Sequence, residues 1–573
     1  MFSKKALLVV ASALLLAACQ GGDVNINAND NSVNTDNSTS GGGGANNPCA
    51  QYTDPDTQQV IQGSFDGSNC LYDSNFVGEL NPLTVDLNIP FISGVHVFQD
   101  SLFVGEDNDG SDPNVPVPQS TNTAGQKGDG PILTIQAGAR LAFTQSADYL
   151  LINRGSQIIA EGSVSAPIII SSFSDLVSGT ADPESIAQWG GVVINGNGIT
   201  SKCSDDQRTN DTCHILSEGK PSYYGGNNNA ESSGTLKYVI VKHTGFEVAD
   251  GDELNGITFN AVGSGTEVEN VEAYSTSDDG LEFFGGAVNV HNYIALYVND
   301  DSIDYSDGYV GTVTNALVIH GLNSGNRCIE GDNQGSDFDA LPRTSPVVNN
   351  MTCIISAQDG SFRGDSEGPL LRRGVQTVLR NSIVSDVYAR TLLSRSGNEC
   401  FELNNDQTFT QASTGGDPAD SFKANSVAIS CEEATKGCRL YNPDESCADP
   451  DFANGDTVLQ WVTDTGAGNY SFNLNSAAEP NFVEPTLGAA NGDVFDPVLL
   501  NGIYTAPAFT DVAGAPLTIT PEDVPDGATN ANGDPIVGAV SADNDWTDGW
   551  AFGLKDTANG GRLWFNPDTG AAP

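Results

Sequence analysis

Five times between Leu236 and Ser396 a short apolar strand carries an asparagine at the same place: Val268-Glu269-Asn270-Val271, Val290-His291-Asn292-Tyr293, Val313-Thr314-Asn315-Ala316, Val348-Asn349-Asn350-Met351 and Leu379-Arg380-Asn381-Ser382. Successive asparagines lie 22, 23, 35 and 31 residues apart. That range fits one coil of a parallel β-solenoid, with loops in the longer gaps, because units that cannot bury a core singly must stack at a fixed period. The repeat fixes an architecture and leaves chemistry open.

At a tight bend between solenoid strands, asparagine tolerates left-handed backbone angles, and its amide can bond its own backbone or the amide one coil away. A column of Asn270, Asn292, Asn315, Asn350 and Asn381 is therefore expected. The first and third residues after each are mostly small and apolar, among them Val271 and Ala273, Ala316 and Val318, Met351 and Cys353; Tyr293 is the misfit. Alternation at period two marks strands with one buried face, and long helical periodicity is missing. The fold class is all-β, a parallel β-helix.

Lys4 and Lys5 precede an apolar run from Ala6 to Ala18, the charge and length of a secretory signal. The run ends Leu16-Ala17-Ala18-Cys19, which resembles the lipobox of bacterial lipoproteins and implies lipid attachment at Cys19. Gln20 follows instead of aspartate, so the resemblance implies the outer membrane. From Gln20 to Asn47 the chain turns to Asn, Gly, Ser and Asp. Such a tether of about 28 residues has a reach of roughly 30 Å. The expected organisation is a signal peptide over 1–18, a tether over 19–48, an N-terminal cap over 49–130, the β-helix over 131–400 and a C-terminal cap or extension over 401–573.

Formal net charge is -51, from 74 acidic against 23 basic residues, with no basic patch. Such a field repels nucleic acid and anionic headgroups and attracts divalent cations. Eleven cysteines leave ten once Cys19 is set aside. An even number in an exported chain points to disulfides. Neighbour pairing gives Cys49 with Cys70, Cys203 with Cys213, Cys328 with Cys353, Cys400 with Cys431 and Cys438 with Cys447. The third pair is the least secure, Cys353 facing inward while Cys328 is placed in a loop.

Further motifs include Leu133-Thr134-Ile135-Gln136-Ala137-Gly138, Ile158-Ile159-Ala160-Glu161-Gly162, Trp189-Gly190-Gly191, Glu253-Leu254-Asn255-Gly256, Ser277-Asp278-Asp279-Gly280 and Glu282-Phe283-Phe284-Gly285-Gly286. Together they resemble a widespread, largely uncharacterised family of exported bacterial β-helix proteins and lipoproteins. The resemblance implies a right-handed, pectate-lyase-like parallel β-helix with irregular N- and C-terminal caps and carries almost no chemistry. Two cysteine-bearing segments, Lys202 to His214 and beyond Cys400, depart from the family pattern.

The strongest chemical constellation is acidic. Asp278, Asp279 and Glu282 recur 22 residues later as Asp300, Asp301 and Asp304. In a one-coil register each carboxylate stacks about 4.8 Å from its partner. Stacked like charges need protons or a cation, and calcium, which takes six to eight oxygen ligands, is the expected cofactor. Asp250, Asp252, Glu253 and Asp307 are placed nearby. Asp279 and Asp301 followed by His320 also suggest acid–base work on a glycosidic bond. Against this, a basic cluster for an anionic sugar is missing, with Arg327 and Arg343 isolated. Gly364-Asp365-Ser366-Glu367-Gly368 fits Gly-x-Ser-x-Gly, yet Pro369 spoils the strand-turn-helix elbow such a serine needs. Tyr223, Tyr224, Phe246, Phe283, Phe284, Tyr305 and Tyr309 lie near the acidic loops and are read chiefly as packing.

The expected function is a binding or interaction module anchored in the outer membrane, facing periplasm or cell surface. Its expected partner is a glycan or an outer-membrane protein such as a TonB-dependent transporter. The rival is a carbohydrate-active enzyme using Asp279, Asp301 and His320.

Overall fold

The structure, a computed structural model, describes residues 47–554 apart from 113, 250, 322–323, 356–363, 386–398, 415–421, 432–433, 465–469, 472–508, 511–515, 518–519 and 542–543. The signal, Cys19 and most of the tether lie outside the described residues.

The asparagine-marked strands stack in parallel. Gly234–Lys242, Glu267–Tyr274, Asn289–Leu296, Thr312–Ile319 and Val347–Ile354 pair in succession, with Val271 beside Tyr293, Tyr293 beside Ala316 and Ala316 beside Met351. They belong to an 18-stranded sheet. A 10-stranded sheet faces it across the core, running from Leu102–Val104 through Ile257–Asn260, Leu281–Phe284, Ile303–Ser306 and Arg327–Asp332 to Lys436–Cys438. The repeat is therefore a coil of a parallel β-helix.

All five asparagines adopt positive φ, between 50° and 61°. Asn292 Nδ2 donates to Asn270 Oδ1 at 3.0 Å, and Asn315 Nδ2 to Asn292 Oδ1 at 2.9 Å. The column then changes partner. Asn350 Nδ2 donates to the carbonyls of Ile536 and Gly538, and Asn381 exchanges bonds with the backbone of Glu522. Asn350 stays in register beside Asn315, between the pairs Thr314–Asn349 and Ala316–Met351, but its amide turns to a strap from the C-terminal region, which takes over the bonding.

That strap revises the expected C-terminal cap. Residues 520–541 and 544–554 run back along the outer flank of the coils, where Trp550, Ala539, Val540 and Leu554 bury against Ile294, Leu317 and Ile319. Apolar residues at these outward positions require such a cover, because one face of a half-buried strand otherwise meets water. The boundaries of the helix shift as well. Parallel pairing begins at Cys70–Tyr72, inside the expected N-terminal cap, and continues past residue 400 through Glu402–Asn404, Lys423–Asn425 and Ala428–Ser430. These strands are three residues long, too short to show alternation in the sequence.

Inside, aromatic rings stack coil upon coil. Tyr72, Phe98, Phe143 and Trp189 follow one another at centroid distances of 4.7, 5.6 and 4.7 Å. Tyr293, the expected misfit, is enclosed because its hydroxyl donates to the Ser302 carbonyl at 2.9 Å. All five neighbour disulfides are formed, with Cα separations of 5.3 to 6.2 Å. Cys328 departs from its expected loop. It lies on the strand Arg327–Asp332 with its side chain in the core, where it meets Cys353.

Candidate functional site

On the 10-stranded sheet, Leu281 and Phe283 point into the core, so Glu282 and Phe284 point out. Glu282 stands opposite Asp304, and Asp304 opposite Glu330. The turn before each strand adds a second acidic row. Asn255 Oδ1 accepts from the backbone N–H of Asp279 at 3.0 Å, and Asp279 Oδ1 accepts from that of Asp301 at 3.0 Å. Each side chain thus satisfies the backbone of the coil above.

The pattern stops at Asp301. Its Oδ1 is enclosed and has no hydrogen-bond partner among the described residues. A buried carboxylate oxygen without donors is costly, and some group must answer it. Three sets of side chains bring one oxygen each within 4.8 Å of one another: Asp278, Asp279 and Asp300; Asp279, Glu282 and Asp304; Asp301, Asp304 and Glu330. Two oxygens that each sit about 2.4 Å from one calcium ion lie at most about 4.8 Å apart, so each set fits the first shell of a hard cation. Burial, and then the neighbouring carboxylates, push Asp279, Glu282, Asp301 and Asp304 well above the usual carboxylate range. All six carboxylates singled out in the sequence converge here.

Several members were not legible beforehand. Glu218 arrives from the insertion after Ile199, and burial together with Asp252 pushes its carboxyl up to about 7. Glu330 belongs to the next coil. Arg372 pairs with Glu330 and Asp332, Arg373 with Asp332, and Lys202 with Asp307 at 2.6 Å. A basic group therefore stands beside the acids, contrary to the sequence expectation. It had no signal, since Lys202 and the Arg372-Arg373 pair come from two segments about 170 residues apart in the chain. Glu218, Glu282, Phe284, Asp304, Glu330 and Arg372 help to line one open groove of about 480 Å3. Arg327 is not isolated either, for it pairs with Glu367 and Glu402. Of the outlying acids, Asp307 is bound to Lys202, Asp252 accepts from the Gly219 N–H at 2.6 Å, and Asp250 lies outside the described residues.

His320 takes a different place. It is fully enclosed, its Nδ1 2.7 Å from Ser366 Oγ and its Nε2 3.4 Å from Ser302 Oγ. Burial pushes its pKa down to about 3, so the ring is neutral. Ser366, set aside on sequence grounds, thus does meet a histidine, but both side chains are buried and the strand Glu367–Arg372 follows directly, with no helix after the turn. Of the aromatics, Phe283, Tyr305 and Tyr309 pack in the core, while Phe284 lies in the groove under Lys202 Nζ, 5.1 Å from the ring centre.

The family model described as a pectate-lyase like beta helix domain matches residues 123–469. The chain belongs to this pectate-lyase-like β-helix family. No curated protein and no solved structure matches the chain. In this member of the pectate-lyase-like β-helix family the acidic groove occupies the outer face of the 10-stranded sheet, and the disulfide-bearing insertion forms one of its walls. No helix among the described residues is long and apolar enough to cross a membrane.

Proposed function

We propose that this protein is a lipoprotein held in the outer membrane through Cys19 and acting as a binding module, with the acidic groove as its recognition surface and calcium as its resident cation. One observation supports the reading most: the ladder ends on an enclosed Asp301 Oδ1 that has no hydrogen-bond partner among the described residues. The ligands come from three overlapping sets, Asp278 with Asp279 and Asp300, Asp279 with Glu282 and Asp304, and Asp301 with Asp304 and Glu330. Bound calcium supplies positive charge beside Phe284, where an aromatic face and fixed oxygens suit a glycan ring or the polar edge of a neighbouring outer-membrane protein such as a TonB-dependent transporter. A glycan array probed with the chain from Asn46 onward, with calcium and with chelator, tests it. Calcium-dependent glycan signals support a glycan partner, calcium-independent signals take calcium out of the recognition, and none in either arm while a transporter is also not retained defeats the binding role.

A second reading, a carbohydrate-active enzyme, draws on the stacking of Asp279 and Asp301 one coil apart. Facing carboxyls at about 5 Å suit retaining glycoside hydrolysis. In this reading His320 has no part, being enclosed. Release of reducing ends from polysaccharides, abolished by Asp301→Asn, distinguishes it from the binding module.

A further inference from the structure

A second cavity, of about 930 Å3, lies at the other end of the same sheet. Leu102–Val104 and Leu150–Ile152 pair there, sending Leu102, Val104, Leu150 and Ile152 inward and leaving Phe103 and Leu151 as an apolar floor. Five prolines stiffen the walls, and Leu80 stands at the mouth 96% exposed. Glu79, Glu106, Asp107 and Asp129 line it, and the nearest ammonium is that of Lys220, 5.9 Å from the centre of the Phe103 ring and already paired with Glu79. Two of these are already answered, Asp107 by Arg154 at 2.8 Å and Glu79 by Lys220 at 3.1 Å. Glu106 and Asp129 have no ion-pair partner among the described residues.

The cavity also contains an unmet hydrogen-bond acceptor. Asn153 lines it, is 6% exposed, and donates through Nδ2 to the Gly105 carbonyl at 2.8 Å, but its Oδ1 has no partner among the described residues. Ser156 Oγ, enclosed against the cavity residues Gly105 and Gly130, is likewise unpartnered. Buried acceptors of this kind are rare unless something donates to them. A ligand must bring an apolar body for the floor, N–H donors for the acceptor and positive charge for the rim. An anion is repelled by the rim, and a neutral sugar leaves its charge unanswered.

We propose that this cavity is a binding site for aliphatic amines of the diamine class, with the alkyl chain on Phe103 and Leu151, an N–H donated to Asn153 Oδ1 and ammonium charge held by Glu106 and Asp129. The site is separate from the acidic groove and does not depend on calcium there.

Isothermal titration of the full mature chain with hexamethylenediamine, and with hexanediol as the uncharged match, tests the site at fixed ionic strength. Leu80→Arg places a guanidinium at the mouth on a fully exposed position, and Leu440→Arg makes the same charge change at an exposed site far along the chain. The expected result is one saturable diamine site, at least about tenfold weaker for the diol, weakened about tenfold by Leu80→Arg and unaltered by Leu440→Arg. No saturable binding, equal binding of diol and diamine, or equal weakening by both arginines overturns the proposal; the last outcome means only diffuse attraction to an acidic protein.

Discussion

The backbone N–H of Asp301 donates to Oδ1 of Asp279, 22 residues earlier and one coil below, at 3.0 Å. Asp279 does the same to Asn255. The row from Asn255 through Asp279 to Asp301 is thus a structural ladder first, with Asp279 held in place by the coil above it and Asp301 left as the open end. A ladder of this kind pre-positions charge without strain at the moment a cation arrives, so ligand geometry comes from the coil register itself.

The asparagine column gives the first prediction. Asn292 sits at φ +60° and both donates to Asn270 and accepts from Asn315. Asn292→Ala forfeits both bonds and places a side chain that disfavours left-handed angles there, at a cost of about 2 to 4 kcal/mol. Asn292→Gly removes the strain but still forfeits both bonds, so its cost is about half. Urea unfolding measures both, and equal costs for alanine and glycine would contradict the left-handed assignment.

The strap gives the second. Trp550 is enclosed and meets Tyr238 edge-on at 5.7 Å, over a flank that includes Ile294 and Leu317. Trp550→Ala should cost about 3 to 5 kcal/mol and raise binding of a hydrophobic dye. A loss below about 1 kcal/mol would mean that the strap is not fastened to the coils.

The third concerns pH. Asp279, Glu282, Asp301 and Asp304 are raised by burial and by one another, and burial takes Glu272, beneath the strap, up to about 8. A carboxyl with a higher pKa folded than unfolded takes up a proton on folding. Its contribution is complete below the unfolded value, about 4, and is lost as pH rises through the folded one. Chelated protein should therefore lose Tm as pH climbs from about 5 to about 8, and saturating calcium should flatten that slope. A chelated Tm that rises over this window would exclude the raised acids.

The fourth is chemical. With five disulfides closed, alkylation of the mature, lipidated protein should label none of the ten remaining cysteines before reduction and all ten after it. Labelling of Cys328 and Cys353 without reductant would reopen that pair.

Much of the frame was legible from Asn270 to Asn381, because a residue that answers a left-handed bend recurs wherever the coil turns. The acidic stack was legible for the same reason: Glu282 and Asp304 lie one short coil apart, where sequence spacing equals register. Legibility failed where coils differ in length. Asp304 and Glu330 are neighbours across 26 residues, and Arg372 reaches Glu330 across 42, so spacing alone could not bring them together. The strap was hidden differently. Ile294 and Leu317 signal an apolar outer face, but nothing local tells which distant segment covers it. Cys328 was misplaced because the asparagine marks only the sheet opposite its own.

The most direct measurement is a calcium titration by calorimetry of chelator-stripped, dialysed protein, with wild type and Asp301→Asn in parallel. The account predicts saturable binding to wild type, a rise in Tm that follows occupancy, and an affinity at least about tenfold lower in the variant. No heat and no Tm shift at millimolar calcium, or identical binding by the two proteins, would contradict it.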